Sequence, residues 1–114
     1  MTRVEKPWGY ELIFAHTQRY AGKILFVRKG ARLSHQYHRM KEEHFYIQSG
    51  TIEVTLGDGE TERVLTMHPG DKLHIPPGTR HRVRGIEDTL IFEVSSPELD
   101  DVVRIEDDYG RAPR

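Results

Sequence analysis

Cysteine is missing from this 114-residue chain, which excludes both a disulfide framework and a thiolate metal site. Long apolar runs are missing too: nothing approaches the ~18 apolar residues that a membrane span needs. The opening Met1-Thr2-Arg3 leads into polar and aromatic residues rather than the apolar core of a secretory signal, so a cytoplasmic protein is expected. An excess of either charge is lacking: 17 Lys and Arg stand against 18 Asp and Glu, for a net charge of -1. That balance favours neither nucleic acid nor an anionic membrane as a partner. There is no long amphipathic pattern, no internal repeat and no linker. The length suits one domain, residues 1–114, and is too short for two.

What is there is a series of short β-like runs between Gly, Pro and Asp punctuation, the pattern of an all-β chain. Gly22 to Arg28 is the first strong strand, and Arg32 to His38 continues as another. Glu43 to Ser49 alternates, with Phe45 and Ile47 on one face and His44, Tyr46 and Gln48 on the other. Thr51 to Leu56 alternates in the same way, and Gly57-Asp58-Gly59 signals a hairpin turn to a partner strand over Glu62 to Met67. Lys72 to Ile75, Arg80 to Arg84 and Thr89 to Val94 follow, with a tight turn at Pro76-Pro77-Gly78. Lys6-Pro7-Trp8-Gly9-Tyr10 reads as an irregular lead-in over a barrel end. Ser96-Pro97-Glu98 places a capping residue before Pro, which predicts one helical turn near residues 97–101. The late acidic blocks, Glu98-Leu99-Asp100-Asp101 and Glu106-Asp107-Asp108, read as a solvated tail. About eight or nine short strands with no long helix leave a β-sandwich or a jelly-roll barrel.

Seven His beside no Cys point to nitrogen and oxygen ligands if a metal is bound. Gln36 and His38 are two apart in a strand-like run and so share a face. Glu43 opens the next strand, expected to run antiparallel beside the first. His81 follows the Pro-x-Gly turn at another strand start. Two imidazoles, an amide oxygen and a carboxylate converging in a barrel would suit a borderline divalent ion. His35 and His44 fall on opposite faces from these residues, and His16, His68 and His74 read as surface groups.

Gly30, Gln36-Tyr37-His38, Glu43 and Gly50 resemble the first conserved motif of the cupin superfamily, with Gln in the first His place. Gly70, Pro76-Pro77-Gly78 and His81 resemble the second, with Gly85 where Asn is usual, a change expected to weaken the turn after His81. Gln36, His38, Glu43 and His44 are further similar to the phosphomannose isomerase branch. So are Lys6-Pro7-Trp8-Gly9-Tyr10-Glu11, Tyr20-x-Gly22-Lys23 and the tail from Asp101 to Arg111. One departure is Arg39-Met40-Lys41 where the branch has His-His-Arg. Lys41 keeps the charge but loses the fork geometry that suits phosphate.

The resemblance implies a cupin jelly-roll β-barrel holding one divalent metal through Gln36, His38, Glu43 and His81. Zinc is favoured, with manganese, iron, cobalt, nickel and copper as alternatives. It implies a carbohydrate ligand and an aldose–ketose isomerase acting on a mannose-6-phosphate-like sugar phosphate, with the metal as Lewis acid. Two other classes stay open: a non-catalytic carbohydrate-binding module and a metal-dependent dioxygenase. Lys23, Lys41 and Arg82 are candidate substrate contacts. No general base stands out; Glu93 could point into the barrel or out of it. Exposed sheet edges make a homodimer the expected assembly.

Overall fold

The computed structural model describes residues 1–112. Among them run eleven strands: β1 Thr2–Lys6, β2 Gly9–His16, β3 Ala21–Val27, β4 His35–Tyr37, β5 Glu43–Ser49, β6 Ile52–Leu56, β7 Arg63–Met67, β8 Lys72–Ile75, β9 His81–Gly85, β10 Thr89–Ser95 and β11 Val103–Glu106. They form two antiparallel sheets, in the orders β1-β2-β3-β10-β5-β8 and β11-β4-β9-β6-β7. Facing each other, these close a jelly-roll barrel. No helix among the described residues is long and apolar enough to cross a membrane.

Period-two alternation drives the packing. Phe45 and Ile47 on β5, Ile52, Val54 and Leu56 on β6, and Leu25 and Val27 on β3 all turn inward. Trp8, Leu33, Met67, Ile75, Val83 and Ile91 complete one core between the sheets. Each fully buried Ile or Val there stabilises the fold by roughly 1.5–3 kcal/mol. Trp8, Leu25, Leu33, Phe45 and Val83 of this core also line the polar cavity described below.

The start of the chain is not irregular. β1 and β2 form a hairpin that extends the first sheet, with Lys6 opposite Gly9 at the turn. Its strand character is masked because β2 reverses the usual pattern: Glu11 faces the cavity while Leu12 and Phe14 face outward. The loop after β6 is longer than a tight hairpin and carries a 3-10 turn at Gly59–Thr61, the one helical element among the described residues. Of the run Arg32 to His38, only His35–Tyr37 pairs as a strand, with one isolated bridge from Arg32 to Arg84.

The C-terminal segment departs most from expectation. Residues 97–101 turn without forming a helix. The Ser96 hydroxyl does not cap; it accepts the Glu42 N–H at 2.9 Å. Nor is the acidic stretch a solvated tail. The Asp101 carboxylate accepts the N–H groups of Arg39, Met40 and Lys41. Asp108 pairs with Arg32 and Arg82, and Asp107 with Arg111. These contacts strap β11 onto β4.

Candidate metal centre

His38 and Glu43 do not sit on neighbouring strands. β4 and β5 belong to opposite sheets, so the two residues meet across the barrel after the Arg39–Glu42 loop crosses over. His81 joins them through β9, where it lies opposite Gln36 in the sole registered Cα pair between β4 and β9. Gln36 and His81 both line the cavity.

One ligand atom each from His38, Glu43 and His81 lies within 4.8 Å of the others, and all three residues are buried. Glu43 Oε1 is 3.3 Å from Nε2 of both rings. The far nitrogen of each ring is committed. His38 Nδ1 donates to the Asp101 carbonyl at 2.5 Å, and His81 Nδ1 donates to the Thr79 carbonyl at 2.8 Å. A carbonyl can only accept, so each neutral ring carries its hydrogen on Nδ1 and turns the Nε2 lone pair toward Glu43. His81 Nε2 is buried with no hydrogen-bond partner. Buried electron-rich atoms facing one another are costly unless a cation lies among them, and imidazole with carboxylate is a donor set for divalent first-row metals. The residues therefore fit a metal ion.

Gln36 lines the same cavity, and its Oε1 accepts the Ser34 hydroxyl at 2.9 Å. Lys41 and Lys23 are also in the cavity wall and nearly fully buried. Lys41 Nζ bridges Glu43 at 3.1 Å and Glu93 at 3.3 Å, and Lys23 Nζ meets Glu11 at 3.1 Å. Arg82 is not in the cavity. Alternation along β9 turns it away from His81, and its guanidinium holds the Leu33 carbonyl, Glu106 and Asp108. His35 bonds the Gly57 carbonyl, while His44 and His74 stack on the outside of the barrel.

Glu93 is the residue that the sequence left undecided. It points inward, buried in the cavity wall beside Lys41. Burial and the adjacent Glu43 charge push its carboxyl up to about 7. Burial also works against the charge on Glu43, but the Lys41 ammonium beside it holds the carboxyl well below the ordinary carboxylate range. The two carboxylates are thus driven apart. On β10 the alternation with Ile91 was the one signal for Glu93, and the apolar Leu90, Phe92 and Val94 on the opposite face cancel it. Asp101 had none, because its partners lie some 60 residues earlier in the chain.

Gly85 does not weaken its turn. Its N–H donates to the Ala31 carbonyl and its carbonyl accepts the Gly30 N–H. A Cβ there would meet the Arg28 carbonyl oxygen at 2.6 Å, so this close approach needs glycine.

Residues 1–107 match the family model described as mannose-6-phosphate isomerase C-terminal. Among curated relatives, the xanthan biosynthesis protein XanB of Xanthomonas campestris is 39% identical over 96% of this chain and 24% of its own length. The mannose-1-phosphate guanylyltransferase ManC of Salmonella typhimurium is 39% identical over 95% of this chain and 23% of its own. The chain thus spans about a quarter of the length of the relatives it matches. Among solved structures, KdgF from Halomonas sp. superposes with a TM-score of 0.74 at 26% identity, covering 88% of this chain and 89% of that one. Oxalate decarboxylase from Lactobacillus farciminis reaches 0.77 at 20% identity, over 91% of this chain and 33% of that one, a likeness of fold alone.

Proposed function

Because the chain belongs to the mannose-6-phosphate isomerase C-terminal family of cupins, we propose that it holds one divalent metal ion, zinc by preference, and interconverts the aldose and ketose forms of a phosphorylated sugar. His38, Glu43 and His81 would hold the ion, with Gln36 as a neutral fourth donor. The observation that carries this reading is the pair of Nδ1–H bonds that aim both Nε2 lone pairs at Glu43 in a buried pocket.

A divalent ion bound there supplies Lewis-acid polarisation of a carbonyl and its neighbouring hydroxyl. This chain's own residues do the rest. Two inward carboxylates lie outside the ligand set, Glu11 and Glu93; Glu93, bridged to Glu43 by Lys41, is the one placed to move the proton between adjacent carbons. Lys41 fixes Glu93 and Glu43 at a set separation. Arg104 lines the same cavity with its Nε buried and unpartnered, which suits it to the substrate phosphate. Arg82, bound to the strap, takes no part.

The test combines metal analysis with turnover of mannose 6-phosphate followed by NMR in heavy water. The wild-type chain is expected to bind about one ion and to exchange one carbon-bound proton with solvent. His38→Ala with His81→Ala should lose the metal. Glu93→Gln should keep it and lose kcat by about 10²–10⁴ with KM little changed. Failure to take up metal on reconstitution sinks the reading; metal binding with no turnover would leave a sugar-binding module.

A further inference from the structure

The buried ion pair between Lys23 and Glu11 has no part in the proposed activity. Lys23 Nζ lies 3.1 Å from Glu11 Oε2, and Lys6 Nζ lies 3.9 Å from Glu11 Oε1. The side chains of Lys23 and Glu11 are only 7% and 13% exposed, and both line the same cavity as His38, Glu43 and Glu93. An ion pair buried this far stabilises a fold no better than apolar residues of the same volume. This one also inverts the pattern of β2, which turns Glu11 inward and leaves Leu12 and Phe14 outside. A strand that gives up its own alternation to place a charge marks a site rather than packing. Lys23 Nζ has N–H groups to spare for a ligand: among the described residues, Glu11 is its one ion-pair partner.

The register ties this pair to the proposed proton-transfer group. Lys23 on β3 lies directly opposite Glu93 on β10, and residues paired in this way hold their Cβ atoms ~4.5–5.5 Å apart on one face. A sugar that offers C1 and C2 to Glu93 can therefore offer its ring oxygen O5, which is bonded to C1, to Lys23, and its O1 hydroxyl to Glu11. Aldose 6-phosphates stand in water almost wholly as closed hemiacetal rings, whereas the proposed isomerisation needs the open-chain carbonyl.

We infer that Lys23 and Glu11 are a second acid–base pair of the cavity, which opens the closed sugar ring before Glu93 acts; the inference rests on the reading of the ligand as a phosphorylated aldose. The Lys23 ammonium gives a proton to O5 as the C1–O5 bond breaks and its electron pair stays on O5. The Glu11 carboxylate takes the proton of the O1 hydroxyl, whose bonding pair becomes the second bond of C1=O1. The sugar keeps its formula. Lys23 is left as an amine and Glu11 as a carboxylic acid, in direct contact, so the proton returns from Glu11 to Lys23 and the pair is restored. Closing the ring on either face of the aldehyde by the reverse steps interconverts the α and β anomers. The C2 hydroxyl takes no part, so the pair gives the chain an anomerase activity separable from isomerisation.

The test uses 2-deoxyglucose 6-phosphate, which lacks the C2 hydroxyl and so cannot become a ketose. Two-dimensional exchange NMR reads the rate at which its anomers interconvert. The wild-type chain is expected to raise that rate above that of buffer in proportion to protein concentration. Glu11→Gln should remove the protein-catalysed part by about a hundredfold or more, with circular dichroism unchanged and metal uptake kept. Should that variant misfold because it strands the Lys23 charge, Glu11→Gln combined with Lys23→Met removes both charges together. Exchange no faster than in buffer overturns the inference, as does catalysed exchange that survives in these variants. The two readings fail separately: catalysed exchange without turnover of mannose 6-phosphate supports the ring-opening pair and sinks the isomerase, and turnover without catalysed exchange does the reverse.

Discussion

Asp101→Ala removes one carboxylate and three hydrogen bonds at once. Its oxygens accept the N–H of Arg39 at 3.1 Å, of Met40 at 2.7 Å and of Lys41 at 2.9 Å. Bonds to a charged acceptor contribute about 1.5–3 kcal/mol each. Arg39 and Met40 are exposed, so water replaces the carboxylate at their amides and those two bonds sit at or below the bottom of that range. Lys41 is buried, and its stranded N–H loses more. Three bonds to one side chain are not additive, so the expected loss is about 2–4 kcal/mol. For a domain of this size that lowers Tm by roughly 10–15 °C. The loop they hold also carries His38, whose Nδ1 bonds the Asp101 carbonyl, so zinc affinity should drop by about tenfold. Thermal unfolding followed by circular dichroism and zinc titration by calorimetry read both effects. A Tm within ~2 °C of wild type would refute the claim that this carboxylate positions the loop.

Gly85→Asn, which installs the residue usual in cupins, should destabilise the chain by about 1–3 kcal/mol, because its Cβ has no room beside the Arg28 carbonyl; an unchanged urea midpoint would show that β9 can shift. Lys41→Met in metal-free protein leaves Glu43 and Glu93 facing each other with no cation, and is expected to lose about 3–5 kcal/mol in urea unfolding. In acid, the C-terminal strap should release first. Asp107 is held down at about 2 by its Arg111 hydrogen bond, and Asp101 and Asp108 are also lowered. A folded pKa below the unfolded value means that this stability is complete above about pH 4 and is lost as pH falls toward 2. Arg111→Ala should flatten that dependence, and amide NMR of Val103 to Glu106 against pH would show it.

Much of the fold was legible because one face of most strands is apolar and the other polar. Phe45 and Ile47, and Ile52, Val54 and Leu56, follow the period-two rule and are buried as it requires. The ligand-type residues were legible for a local reason: Gln36 and His38 share a face by spacing, and Glu43 and His81 open their strands. Illegible was the route by which they meet. A short turn between two strands suggests a hairpin, but the Arg39–Glu42 loop changes sheets. It does so because Asp101 and Ser96, far away in sequence, take its amide hydrogens.

β2 and β10 were hard to read for a different physical reason. In β10, Ile91 faces in with Glu93 while Leu90, Phe92 and Val94 face out, so both faces look apolar and the direction of Glu93 is undecidable from pattern alone. In β2 the signal is inverted: Glu11 faces the cavity and Leu12 and Phe14 face solvent. Both ambiguities have one source. A polar cavity demands charged residues inside the barrel, and an uncharged outer sheet face removes the polar half of the alternation. The strands that defeated pattern reading are therefore the ones that turn Glu11 and Glu93 into the cavity on one side and Leu12, Phe14, Leu90, Phe92 and Val94 outward on the other. Strands β6 and β9 bear this out from the opposite direction. Their outward residues Glu53, Thr55 and Arg84 are polar, their inward residues apart from His81 are apolar or glycine, and nothing about their orientation was in doubt.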